Sequence, residues 1–263
     1  MSPARPFQVR RVVVKVGTSI VTRGDGRLAL GRLGALVEEL HALHQHAEVV
    51  LVTSGSIGPG AARLGYDAVP SEVVDRQACA AAGQGALIAT YDALFRQLDL
   101  AAAQVLLTED DFLHRRRYLN LRATLERLVA RGAVPVVNEN DTVAVRELRF
   151  GDNDNLAALT AVQLGADALF LFTDVDYLYT ANPRTDPDAR ALRLVADLAS
   201  LRENFDVVEW PGEELVAIER LEHARAAKES EAGMSAVKSI MFVVRVSSQS
   251  DVAQMGVRKA GGR

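Results

Sequence analysis

The sequence predicts an α/β protein, a three-layer α/β/α sandwich around a mainly parallel central sheet. Short unbroken apolar runs recur along the chain, as strands buried on both faces require. Amphipathic or alanine-rich stretches of helical length stand between them. Polar turns containing Gly, Ser, Thr, Asn or Asp follow several runs, at the strand ends where open α/β sheets form their ligand crevices. Alternation of this kind, with right-handed crossovers, puts helices on both faces of one sheet.

The elements follow in order. Val12 to Val16 is the first strand, apolar except for Lys15. Leu30 to His44 is a helix with Leu33, Leu36, Val37, Leu40 and Leu43 on one face. Glu48 to Val52 is the second strand. Ser71 to Phe95 is a long alanine-rich helix. Ala103 to Leu107 is the third strand, and Tyr118 to Ala130 is a helix carrying Leu121, Leu125, Leu128 and Val129. Val134 to Asn138, a helix over Asn155 to Leu164, and the strand Ala168 to Phe172 complete the pattern. No internal repeat, low-complexity tract or Pro/Gly/Ser linker interrupts it. A single domain over residues 1–263 is expected, its two halves binding different substrates.

Composition narrows the class. Of 263 residues 49% are apolar, enough for a sizeable core, and a charged share of 24% argues against disorder. The net charge is −4 and the basic residues are scattered apart from Arg115, Arg116 and Arg117, so no nucleic-acid partner is expected. Those three arginines read as a surface turn or subunit contact. No apolar run approaches the roughly 20 residues of a membrane helix. The start passes straight into a strand without a secretory leader, so a cytoplasmic protein with no membrane partner is expected. The single cysteine, Cys79, excludes an internal disulfide or a cysteine zinc site and reads as a buried small residue. His41, His44 and His46 read as a solvated helix end, and no metal site built from protein side chains is expected.

Five segments carry chemistry. Lys15-Val16-Gly17-Thr18-Ser19 ends the first strand. Its ammonium can neutralise a phosphate, and Gly17 lets backbone N–H groups approach one. The spacing is not that of a Walker loop. Val52 to Gly60 ends the second strand with Thr53, Ser54, Gly55 and Ser56, and leads toward a helix N-terminus suited to anions. Asn138-Glu139-Asn140-Asp141 ends the fourth. Gly151-Asp152-Asn153-Asp154-Asn155 precedes an apolar helix, where Asp154 or Asn155 is expected to take a capping role. These two polar clusters could bind an amine, orient lysines or help hold a metal. Thr173-Asp174 ends the fifth strand ahead of a Tyr/Pro-rich loop that could hold a ribose and adenine.

In this order the motifs resemble the amino acid kinase family, and within it the members that act on the γ-carboxylate of glutamate. The likeness is carried by Val52 to Ile57, by Leu106-Leu107-Thr108 through Tyr118-Leu119-Asn120, and by Val136 to Asp141. Gly151 to Leu156 and Tyr179 to Arg184 extend it, so that it runs from about Val12 to about Leu194. Family members acting on acetylglutamate, aspartate or a nucleotide share the fold and the lysine-glycine start. They do not usually combine the N-E-N-D and G-D-N-D-N segments.

The resemblance implies phosphoryl transfer from ATP to L-glutamate with Mg2+, the first step toward proline. The alternatives are one of those other acceptors, or a non-catalytic glutamate- or proline-binding regulator. Lys15, Asp154 and Lys238 are the implied catalytic residues. Ser54, Gly55, Asp141 and Asn153 are the implied glutamate site. Lys15, Gly17, Thr173, Asp174, Gly233, Met234 and Lys238 are the implied nucleotide site. Glutamate would bind to the N-terminal half and the nucleotide to the C-terminal half. Proline as feedback inhibitor, a homodimer or homotetramer, and a cytoplasmic location complete the expectation. The chain departs from the pattern where Tyr177 stands in place of a glycine. It departs again at Glu231 to Lys238, which replaces a G-T-G-G-M-x-x-K stretch with one glycine fewer and the lysine one place late. Lys228 is therefore a rival to Lys238. Ser247 to Arg263 does not read as the family's closing elements, and no RNA-binding-like PUA domain is expected.

Overall fold

The computed structural model describes residues 9–108, 110–144, 153–173, 178–179, 188, 190–192, 194–195, 218–219 and 240–245. Its main sheet has the order β3-β4-β2-β1-β5-β10-β9-β8. Strand β1 (Arg11–Val16) lies between β2 (Glu48–Thr53) and β5 (Ala168–Thr173), parallel to both. Strands β4 (Val134–Glu139) and β3 (Ala102–Leu107) continue the parallel part beyond β2. On the other side β10 (Ile240–Arg245), β9 (Ile218–Glu219) and β8 (Leu194–Val195) pair antiparallel in turn. A separate ladder joins β6 (Leu178–Tyr179) to β7 (Ala191–Leu192).

The strand pleat sorts alternate residues into two cores. Val13, Val50, Val52, Val137 and Leu169 pack toward α6 (Arg115–Ala130) and α7 (Asn153–Leu164). Val12, Val14, Val16, Val49, Leu51, Val134 and Val136 pack toward α2 (Leu30–His44) and α4 (Val73–Arg96). Helices on both faces complete the three layers. The N-terminal end of β1 is clamped: the Arg11 guanidinium donates to Glu48 and to the Leu164 carbonyl at the end of α7, and Asp167 accepts from the Arg10 and Arg11 amides. A cation at a helix C-terminus satisfies carbonyls the helix leaves open and complements its dipole.

Three short helices are added to the expected set: α1 (Thr18–Val21), α3 (Ile57–Arg63) and α5 (Asp110–Leu113). Arg115, Arg116 and Arg117 form the first turn of α6 and not a surface turn. A cationic first turn opposes the helix dipole. Arg117 is offset by Asp110 and Asp111, at 3.9 and 3.6 Å. Asp154 and Asn155 lie inside the first turn of α7, which begins at Asn153, and neither is the residue that precedes the helix as a cap must. His41 and His44 lie in the last turn of α2, and His46 falls just beyond it. Cys79 is fully buried. Among the described residues no helix is long and apolar enough to cross a membrane.

Helices α3 and α4 approach through glycine. A Cβ on Gly60 would stand 1.7 Å from the Cys79 carbonyl oxygen, and one on Gly83 would stand 1.8 Å from that of Ser56. No shift of a side chain relieves such contacts, because both partners are backbone. Gly83→Ala is expected to lower stability by about 2 kcal/mol or more, since forced overpacking outweighs the gain in helix propensity. Gly85→Ala in the same helix meets nothing within 4 Å and is expected to be neutral or stabilising by up to about 1 kcal/mol. Urea unfolding of the two variants checks the contrast, and equal effects would contradict it.

Candidate functional site

Lys15 shares the face of β1 with Val13, so its side chain rises toward α7 rather than toward α2. There its ammonium meets Asp154 Oδ1 at 2.6 Å, the lysine side chain 4% exposed and the aspartate 39%. A charge this buried needs an ionic partner, because desolvation alone disfavours it. Asp154 sits in the first turn of α7, the helix end that stabilises an anion. The pair therefore joins the end of the central strand to the start of a helix, with the carboxylate still facing solvent on one side.

The chain then turns at Gly17, whose amide donates to the Phe172 carbonyl at 3.3 Å and so stitches β1 to β5. Its φ of −78° needs no glycine. Nor does the space: a Cβ here would stand 3.6 Å from the Phe172 carbonyl oxygen and 3.7 Å from Lys15 Nζ, ordinary contact distances. Gly55 is the glycine this region requires. Its φ is +94°, and a Cβ would come within 2.8 Å of Val21. The turn it makes carries the chain from β2 toward α3.

Two buried asparagines link the strand ends behind this turn. Asn153 Nδ2 donates to the Thr53 carbonyl at 2.7 Å, to Ser54 Oγ at 2.8 Å and to Asn138 Oδ1 at 3.0 Å. Asn138 Nδ2 donates in turn to Gln84 Oε1 at 2.8 Å, and its Oδ1 also accepts from the Glu139 amide. The network thus ties β2, β4, α4 and α7 together. Thr53 points to the opposite face, where its hydroxyl meets the buried Tyr91 hydroxyl at 3.0 Å. Burial pushes the Tyr91 hydroxyl well above its usual value, so it stays neutral there.

In front of the network lies a cleft of about 630 Å³. Ser54, Gly55, Asp141 and Asn153, the four residues expected to bind one substrate, all line it. Ser56 Oγ donates to Asp141 Oδ2 at 3.4 Å and helps hold that carboxylate. Lys15 and Asp154 are not on the cleft wall, and Asp154 is the chain neighbour of Asn153, which is. Thr173 ends β5 and pairs in register with Ile240 of β10. Asp174, Gly233, Met234 and Lys238 lie outside the described residues, as do Tyr177 and Lys228.

Several cleft residues were not expected from sequence. A hairpin closed by the Thr22–Leu28 bridge brings Arg23, Asp25 and Gly26 to the rim. Gly26 fits against Gly58, where a Cβ would meet the Gly26 carbonyl at 2.8 Å. The segment after α3 adds Tyr66 and Val69, and the first turn of α4 adds Arg76. The Gly24-Asp25-Gly26 run is a turn signal that could have located the hairpin. Nothing local in the sequence marks Arg76.

A model of the Amino acid kinase family matches residues 10–229. The glutamate 5-kinase of Nostoc punctiforme is 51% identical over 196 residues, covering 74% of this chain and 53% of that protein. That of Streptococcus gordonii is 47% identical over 195 residues, 74% of this chain and 53% of its own. That of Moorella thermoacetica is 51% identical over 192 residues, 73% and 51%. The chain spans about half the length of these curated relatives.

The asparagine network has a testable polarity. Asn153→Asp places an oxygen where three acceptors converge, whereas Asn153→Ala only leaves them without a donor. The alanine variant is expected to cost about 1–3 kcal/mol. The aspartate variant is expected to cost more, because it adds a partly buried charge among acceptors. Chemical denaturation ranks the two, and a more stable aspartate variant would contradict the donor role.

Proposed function

The chain belongs to the amino acid kinase family, and from that premise we propose that it transfers the γ-phosphoryl group of ATP to the γ-carboxylate of L-glutamate. The reaction is that of a glutamate 5-kinase and gives ADP and γ-glutamyl phosphate. One observation supports it above others. The buried Lys15–Asp154 pair stands beside a cleft that gathers Ser54, Gly55, Asp141 and Asn153 on its wall. The half-identity with three glutamate 5-kinases supports the choice of acceptor.

The chemistry asks little of the protein as acid or base. A glutamate side chain has a pKa near 4.3 and is ionised at neutral pH. A carboxylate oxygen attacks the γ-phosphorus, the bond to the β,γ-bridging oxygen breaks, and ADP leaves with that electron pair. No proton has to be removed first. The difficulty is to hold two anions in line and to balance charge as it shifts toward the leaving oxygen. Lys15, at the end of β1, supplies an ammonium for the transferring group. Asp154 holds that ammonium in place and keeps a second lysine in reach, Lys238 or its rival Lys228. Asp141 pairs with the substrate ammonium, while Ser54, the Gly55 turn and Asn153 position the rest of glutamate.

The nucleotide would bind to the C-terminal half, using Gly17, Thr173, Asp174, Gly233, Met234 and Lys238. Mg2+ would arrive as part of the MgATP substrate. Among the described residues no group of three or more His, Cys, Asp or Glu side chains is placed to cage a metal. The same proposal extends to one domain with two substrate halves, to the first step of proline synthesis with proline as feedback inhibitor, and to a cytoplasmic homodimer or homotetramer.

Purified protein is expected to release ADP in a glutamate-dependent way and, with hydroxylamine, to form glutamyl hydroxamate. Equal or greater activity with acetylglutamate or aspartate would overturn the assignment, as would binding of glutamate without turnover. Lys15→Ala is expected to lower kcat and kcat/KM together by about a hundredfold or more, as loss of a group acting on transition-state charge does. Wild-type turnover by this variant would remove Lys15 from the chemistry.

A further inference from the structure

Arg76 lines the same cleft as Asp141, and nothing in the roles above uses it. Arg76 is partly buried, and its guanidinium makes no hydrogen bond or ion pair with a described residue. Asp75 accepts from the Tyr66 hydroxyl at 3.1 Å and Arg23 faces Asp25 at 4.0 Å, while Asp67 and Glu139 also line the cleft. Arg76 also stands in the first turn of α4, the end of a helix where the macrodipole disfavours a cation. A half-buried arginine held there against the local field is a site prepared for an anion. Its planar fork of donors matches a carboxylate.

The position of this turn says which carboxylate. The first turn of α4 is tied to the segment that carries Asp141, because Gln77 Nε2 donates to the Ala144 carbonyl at 3.4 Å. The same turn leads into the contact of Cys79 with Gly60 of α3. The phosphoryl-transfer end of the site lies with Lys15, Asp154 and Asn153, at the ends of β1 and β2 and the start of α7. Asp141 and Arg76 belong to segments joined to each other, one anionic and one cationic. An α-amino acid carries on one carbon the ammonium and the carboxylate that such a pair would receive. We infer that Arg76 binds the α-carboxylate of the amino-acid substrate and, with Asp141, sets the preference for an intact α-amino acid head group.

This assignment rests on the proposal that glutamate is the acceptor, and the test separates the two. The purified full chain is assayed for glutamyl hydroxamate with MgATP. Two competitors each lack one half of the head group: 4-aminobutyrate lacks the α-carboxylate, and glutarate lacks the ammonium. Arg76→Gln is expected to raise the glutamate KM about ten- to a hundredfold. The ATP KM and the inhibition constant of 4-aminobutyrate should stay within about twofold of wild type. Asp141→Asn is expected to show the complementary split, weakening glutamate and 4-aminobutyrate while sparing glutarate. Arg76→Lys keeps the charge without the fork and is expected to fall between wild type and Arg76→Gln, which serves if the glutamine variant folds poorly. A glutamate KM unchanged in Arg76→Gln overturns the inference, and so does an equal loss for glutamate, 4-aminobutyrate and ATP. The same split appearing in Arg23→Gln instead would assign the anchor to Arg23 and overturn it too. Wild-type protein that neither binds glutamate by calorimetry nor turns it over overturns the function and this inference together.

Discussion

A lysine on the central strand of a parallel sheet cannot be left alone. Its neighbours on both sides are strands and its faces are covered by helices, so water reaches it only past the end of the sheet. Lys15 meets this constraint with the Asp154 carboxylate at 2.6 Å. Much else at the site is a condition for that contact. Helix α7 must begin where it does, so that Asp154 falls in its first turn. Asn153, one residue earlier, is then pinned to Thr53 and Ser54 at the end of β2. Asn138 and Gln84 pass the restraint on to β4 and α4.

These amide side chains form a polar layer between the apolar cores and the cleft. Asn153 Nδ2, both polar atoms of the Asn138 side chain and Gln84 Oε1 are engaged with one another, with Ser54 Oγ and with backbone, so each bond constrains the orientation of the next. The other wall of the cleft is of a different kind. The Thr22–Leu28 hairpin and the segment with Tyr66 and Val69 are held by turns and by glycine contacts, with exposed side chains.

Strands β1 to β5 and the long helices are legible in the sequence to within a few residues, whereas β6 to β10 are not among the expected strands. Helix α2 runs from Leu30 to His44 as its apolar face indicates, and β1 to β5 coincide with the Val- and Leu-rich runs. Burial on both faces writes itself into composition, and a helical stripe into period. Helices α1, α3 and α5 are too short for any period to show. Ile240–Arg245 is as apolar as the expected strands but is not among them, and its antiparallel place beside β5 is not encoded in apolarity, which has no direction. The site divides in the same way. Lys15, Ser54, Gly55, Asp141, Asn153 and Asp154 stand at strand ends or a helix start, where polar residues after an apolar run are conspicuous. Arg23 and Arg76 come from a hairpin and a helix that only tertiary packing brings to the cleft. The arginine triplet opens a helix where a turn is one of the two expectations, because a charged run resembles a loop when the apolar stripe behind it begins later, at Leu121.

The clamp at Arg11 has a consequence at the opposite end of its strand. Side chains along β1 alternate in phase, and without a bulge nothing corrects that phase midway: its register with β2 and β5 runs unbroken to Val16. Glu48, Leu164 and Asp167 fix it at Arg11. Four residues later, about 13 Å along the strand, the same phase decides whether an ammonium emerges beside Asp154 or is driven into the apolar layer formed by α2 and α4. Arg11 touches nothing in the cleft, yet it acts as the timing mark for the whole strand. A slip of one residue there would bury the charge in hydrocarbon and leave every sequence motif of the site intact.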